Sequence, residues 1–179
     1  MSRKTDSAAA RPAGAASGAP PGVAVTVGAF HEAGRERLGL SLTSGKGGLA
    51  RVIREPVLYR CGLALSGFYE HFAFRRIQLI GSSEHAYLQS MPMDRRVESV
   101  ERLFRADIPC VVFSNGRRTF AEADRMGDAL DVPVFRTPLS SIRFTTEATL
   151  LLENMSAPRC KVHGTMLEVS GLGVLIEGP

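Results

Sequence analysis

Residues Asp94 to Phe135 read DRRVESVERLFRADIPCVVFSNGRRTFAEADRMGDALDVPVF, and their patterning decides the fold class. Val97, Val100, Leu103 and Phe104 recur at the spacing of one helix face, with arginine and glutamate between them. Asp94 is placed to cap that helix. IPCVVF (108–113) is then a short apolar run of the kind a strand buried on both faces needs, and SNGRR supplies a turn. Phe120, Ala123, Met126 and Leu130 repeat the helical stripe as far as Asp131, and VPVF (132–135) repeats the strand. Helices feeding fully apolar strands predict an α/β sheet with a parallel core, because parallel neighbours need a crossover between them.

The same alternation extends outward. Downstream, Ser140 or Ser141 begins a further helix, with Ile142, Thr145, Thr149 and Leu152 expected inward. Upstream, Ser82 is placed to cap a short helix running through Tyr87 and Leu88 to Met91, closed by Pro92. Before it lie an apolar stretch, Leu63 to Phe74, and the strand-like RIQLIG (76–81). VAVTVGAFHEAG (23–34) suggests a strand or turn entering a helix, and LGLSLT (38–43) alternates as a half-buried strand does. SGKGG (44–48) invites comparison with the phosphate loop G-x-x-x-x-G-K-[ST]. The first glycine would fall at Leu40 and the hydroxyl residue at Gly47, so the pattern fails and a hairpin loop is expected.

Residues 1–22 are mostly Ala, Gly, Pro and Ser, too poor in large apolar groups to offset ordering, and are expected to form a flexible tail. One domain is expected over 23–155. SAPR (156–159) is a hinge, so that 156–179 forms a separate terminal stretch of short strands. The 179 residues are 44% hydrophobic and 22% charged, ordinary for a globular protein. No run approaches the roughly 18–20 apolar residues of a membrane span, and Arg3 and Lys4 are followed by no continuous apolar segment. A cytoplasmic protein is expected. The net charge of +4 is carried almost wholly by arginine, in pairs at 75–76, 95–96 and 117–118 that are scattered among acids. That dispersion argues against a nucleic-acid face, which wants clustered cations. Cys61, Cys110 and Cys160 form no C-x-x-C pair, and His31, His71, His85 and His163 are equally dispersed, so no structural zinc is expected. Cys110, inside IPCVVF, suits a small buried hydrophobe.

The terminal stretch KVHGTMLEVSGLGVLIEGP (161–179) carries the functional hints. GVLIEG is an apolar strand delivering Gly178 at its carboxyl end, as the strand entering a phosphate loop does, although many core strands also end in glycine. His163 before Gly164 is compatible with a structural residue or, given partners in reach, with chemistry.

An ordered series of residues sharpens this. Arg60-x-Gly62-Leu63-x-Leu65-x-Gly67-Phe68 is followed by Arg76-Ile77-Gln78-Leu79-Ile80-Gly81-x-x-Glu84-x-x-Tyr87-Leu88. Ala157-Pro158, His163-Gly164 and Gly171-x-Gly173-Val174-Leu175-Ile176-x-Gly178 come later. From about Val23 onward the chain resembles the bacterial HPr kinase/phosphorylase family, over its N-terminal domain and the first strands of its kinase domain. The family's Arg-Pro-Gly-Leu is Arg60-Cys61-Gly62-Leu63 here, and Pro179 stands where an acidic residue usually follows the loop's first glycine.

The resemblance implies a serine kinase and phosphorylase acting on HPr, the phosphocarrier of the bacterial sugar phosphotransferase system. It implies ATP or pyrophosphate with Mg²⁺, assembly as a hexamer, and an N-terminal domain like that of Mur ligases with a regulatory or assembly role. It maps His163 onto the active-site histidine and Gly178 onto the first glycine of the ATP-binding loop. The loop lysine, the acid/base aspartate and the metal-binding glutamate would lie past Pro179. This chain by itself is therefore expected neither to hold ATP nor to transfer phosphate. A rival reading is a non-enzymatic module binding a small anionic ligand or a partner protein.

Overall fold

The computed structural model describes residues 24–158 and 163–177. The expected tail lies outside them, as do Cys160, Gly178 and Pro179. Strand β1 (Val25–Thr26) leads into helix α1 (Val27–Gly34), where the Thr26 hydroxyl caps by accepting from the Ala29 N–H. Strand β2 (Ser41–Ser44) follows, then a 3-10 turn (Lys46–Ala50), β3 (Val52–Ile53), β4 (Leu58–Arg60) and the single-turn helix α2 (Gly62–Leu65). Next come β5 (Ile77–Ile80), α3 (Ser82–Ser90), α4 (Met93–Phe104), β6 (Val111–Phe113), α5 (Ala121–Leu130), β7 (Val134–Arg136) and α6 (Ser141–Ser156). The terminal strands are β8 (Gly164–Val169) and β9 (Leu172–Glu177).

The main sheet has the order β2-β7-β6-β5-β4, with β4 to β7 mutually parallel and β2 antiparallel on the β7 edge. The expected parallel core is present. Each parallel step proceeds in the same direction, so right-handed crossovers put α2 to α5 on one face. Alternation along the strands then splits the core in two. Val111, Phe113 and Val134 meet Ala64, Leu88, Leu103 and Ala123 on that face. Cys110, Val112 and Phe135 turn the other way, to Phe30 of α1 and Phe144, Ala148 and Leu152 of α6.

Four local expectations need correction. SGKGG is no hairpin loop: β2 pairs with β7, β3 pairs with β1, and Lys46–Ala50 winds as a 3-10 turn beneath the α5–β7 junction. The α3 cap is Gly81 rather than Ser82, with Glu84 reaching back to it. Pro92 precedes α4, and Asp94 sits inside its first turn, where a negative charge suits the positive helix end. In α6 the inward stripe is Phe144, Ala148 and Leu152, at strict four-residue spacing, while Ile142 is 83% exposed.

Candidate functional site

Arg60, Gly81 and Glu84, from the first two runs of the series that carried the family resemblance, meet at the carboxyl ends of β4 and β5. Parallel pairing sets Arg60 beside Leu79, so the end of β4 faces the turn where Gly81 opens α3. Glu84, in the first turn of α3, accepts from the Arg60 guanidinium twice, at 3.1 and 2.9 Å, and from the Gly81 backbone N–H at 3.0 Å. Its carboxylate is nearly buried, while the Arg60 side chain is about half exposed. Gly81 is required by close approach: a Cβ there would come within 2.6 Å of the Ser141 hydroxyl and 3.1 Å of the Glu84 carboxylate.

Burial works against ionisation of Glu84, but the Arg60 hydrogen bonds and the Gly81 N–H outweigh it and hold the carboxyl below its ordinary value of 4.5. A carboxylate depressed in the folded state stabilises above its unfolded pKa, and that stability is lost as pH falls through the folded value. Stability should therefore decline below about pH 4.5. Glu84→Gln should cost about 1 kcal/mol at neutral pH, since Arg60 is half solvated, and should flatten that decline. Urea denaturation of both proteins between pH 3 and 7 checks it; parallel profiles would reject the assignment.

Beside this pair, the ends of β6 and α6 share a second polar cluster. The Ser114 and Ser141 hydroxyls lie 2.7 Å apart, and the Asn115 amide donates to both, at 3.2 and 3.1 Å. Asn115 takes a left-handed conformation (φ 60°) to do so. The clustering of polar groups at the carboxyl edge is where open α/β sheets place ligands. A cleft of about 270 Å³ reaches Glu84 between Gly62 and Ser83, and a second of about 310 Å³ lies next to it among α2, α3 and α4, with Ser66 and Tyr87 on the walls of both. Leu63 and Phe68 of the same series are exposed.

Among the described residues of this region no hydroxyl is hydrogen-bonded to a base. His85 stacks on Phe120 at 4.6 Å with its Nε2 3.1 Å from the Arg118 carbonyl, and His31 packs against Phe135. Burial pushes the Cys61 thiol up to about 12 and raises that of Cys110 further, so both are inert packing groups, as expected for Cys110. Among the described residues no group of three His, Cys, Asp or Glu could hold a metal ion, and no helix is long and apolar enough to cross a membrane. The arrangement can recognise and position, but it assembles no nucleophile with a base.

His163 stands elsewhere, exposed, immediately before β8. The β8–β9 ladder pairs Gly164 with Glu177, so the residue after His163 lies opposite the residue before Gly178. The hairpin exposes Met166, Leu167, Val169, Leu172, Val174, Leu175 and Ile176. Gly178 itself lies outside the described residues. Sequence reasoning paid less attention to Glu84 and Ser114; the G-x-x-E spacing at a helix start was the available signal for the first.

Comparison with known proteins identifies the family. Residues 25–152 match the family described as HPr Serine kinase N terminus. An HPr kinase/phosphorylase of Treponema pallidum is 38% identical over 144 residues, 80% of this chain and 45% of the relative. Another, from Caldicellulosiruptor bescii, is 39% identical over 76% of this chain and 44% of its own length. The chain thus spans somewhat under half the length of these relatives. Among solved structures, the CBS and DRTGG domains of the regulatory region of Clostridium perfringens pyrophosphatase, complexed with the activator diadenosine tetraphosphate, superpose with a TM-score of 0.51 at 12% identity. That match covers 70% of this chain and 49% of the other, and it is a likeness of fold. By the family match and by these relatives, the chain belongs to the HPr serine kinase family, in its N-terminal portion.

Proposed function

We propose that residues 23–155 form the regulatory or assembly domain of a cytoplasmic, hexameric serine kinase and phosphorylase that modifies HPr and so controls sugar uptake and carbon metabolism. In this reading the domain is of the Mur-ligase N-terminal type, and 156–179 comprises a hinge and the first strands of the phosphate-loop kinase domain. The observation that carries the reading is the β8–β9 register, which sets Gly164 against Glu177. It supports His163 acting close to the start of a phosphate loop at Gly178. Seven exposed apolar side chains on a two-stranded hairpin support its packing within a larger sheet, since an isolated hairpin is marginal in water.

His163 would donate a hydrogen bond to the transferring phosphoryl group or orient the acid/base carboxylate. Gly178 would let the backbone approach the ATP phosphates, with Mg²⁺ neutralising charge through groups supplied elsewhere. No nucleic acid or membrane is required.

The test joins residues 1–179 in frame to the downstream half of the Treponema pallidum relative and follows phosphate transfer from Mg²⁺-ATP to HPr. The chimera should phosphorylate HPr, residues 1–179 alone should not, and His163→Ala should slow the chimera about 100-fold or more. A folded, ATP-binding chimera that leaves HPr unmodified rejects the reading.

A further inference from the structure

A cleft of about 240 Å³ opens at the opposite, amino-terminal edge of the parallel strands. Arg51, Val52, Arg54, Phe74, Arg75 and Asp107 line it. Arg51 is consumed by the fold. Its guanidinium donates to the backbone carbonyls of Asp131, Ile108 and Leu130, at 2.6 to 3.0 Å, and to the Asp107 carboxylate at 3.3 Å. That contact also neutralises the one acid on the cleft wall. Arg54 and Arg75 are left as exposed cations, with no carboxylate partner among the described residues. Arg75 lies 5.6 Å over the ring of Phe74, which is 38% exposed, and Val52 is 40% exposed. The wall therefore joins two uncompensated positive charges to an apolar floor.

Charge and size select the occupant. The cleft is smaller than the roughly 300 Å³ at which small-molecule pockets begin, and its cations sit on an open rim, so it would not enclose a free ligand. It can take one side chain of a larger partner. A nucleic-acid backbone calls for a row of cations, whereas here Glu55 and Asp107 interrupt the arginines and Glu55 holds Arg76 at 2.6 Å. The chain's own first residues carry Arg3, Lys4 and Arg11 against Asp6, the wrong sign to be drawn in.

We propose that this cleft docks an acidic segment of a partner protein. One apolar or aromatic side chain of that segment rests on Phe74 and Val52, and flanking carboxylates pair with Arg54 and Arg75. Arginine beside an exposed aromatic ring is a recurrent anchor at protein interfaces, and carboxylates pair with guanidinium in a bidentate fashion.

The probe is a fluorescein-labelled pentapeptide with phenylalanine at its centre and an aspartate and a glutamate on each side, followed by anisotropy on the 179-residue chain at low salt. Saturable binding is expected. Arg54→Glu with Arg75→Glu should weaken it at least tenfold, and serine in place of the peptide's phenylalanine should weaken it several-fold, both effects typical of paired and buried contacts. Both arginines are exposed and have no carboxylate partner among the described residues, so thermal melts of the double variant should lie close to the parent. The exposed pair Arg117→Glu with Arg118→Glu is the control and should leave binding within about twofold. Absence of saturable binding overturns the proposal, as does equal weakening by the control pair. So does a labelled oligonucleotide that displaces the peptide with the same Arg54 and Arg75 dependence.

Discussion

Arg96→Ala is expected to lower the unfolding free energy by about 3–5 kcal/mol, the usual consequence of stripping the partner from a buried charge. Glu122, in the first turn of α5, is 3% exposed and is held by the Arg96 guanidinium from α4, which is itself 17% exposed. The same guanidinium lies 5.0 Å over the Phe120 ring. Removing it strands a carboxylate between two helices and withdraws a cation from an aromatic face. The Arg96→Met/Glu122→Leu double variant separates charge burial from packing. It should lie within about 1–2 kcal/mol of the parent or exceed it, because a buried ion pair replaced by apolar groups of similar volume is often neutral or stabilising. Urea denaturation midpoints decide the matter. A single variant losing under about 1 kcal/mol would mean that water reaches Glu122 once the arginine is gone.

Gly48→Ala should cost about 3 kcal/mol, at the upper end of overpacking effects. A Cβ at Gly48 would drive into the Asp131 backbone carbonyl and come within 2.6 Å of Pro133 Cδ. Neither can give way easily. The Asp131 carbonyl accepts the Arg51 Nε–H at 2.6 Å, and Pro133 leads directly into β7. Gly47 is the internal comparison. Its added methyl meets the Asp131 side-chain carboxylate, which can rotate aside, so Gly47→Ala should cost about 1 kcal/mol or less. Thermal melts of the two variants should differ clearly. Equal costs would show that the α5–β7 junction shifts as a body.

These expectations also mark what the sequence could reveal. Strands β6 and β7 were legible because both faces are buried, giving unbroken apolar runs, and α5 because its stripe and its left-handed Asp131 terminus coincide with the pattern. The inward face of α6 was legible only at Leu152, which is buried as expected, because Ile142 imitates the start of a stripe that begins two residues later at Phe144. The role of SGKGG was hidden for a different reason. Alternation identifies a strand but names no partner, and β2 finds its partner in β7, with the Ser41 hydroxyl and the Arg136 carbonyl separated by 95 residues. The same limit applied to the candidate site. Arg60 and Glu84 belong to an ordered motif, yet their union needed β4 and β5 to be parallel neighbours, a fact of topology rather than of spacing. His163 was visible as a motif residue, and the ladder adds only its position immediately before β8.

Strand β1 brings the chain into the main unit and α6 carries it out, and these two elements touch, as do α1 and α6. A unit whose first and last elements are neighbours behaves as a cassette. Neighbouring ends are the arrangement that tolerates splicing into a host loop or exchange between relatives, because the core need not be re-routed.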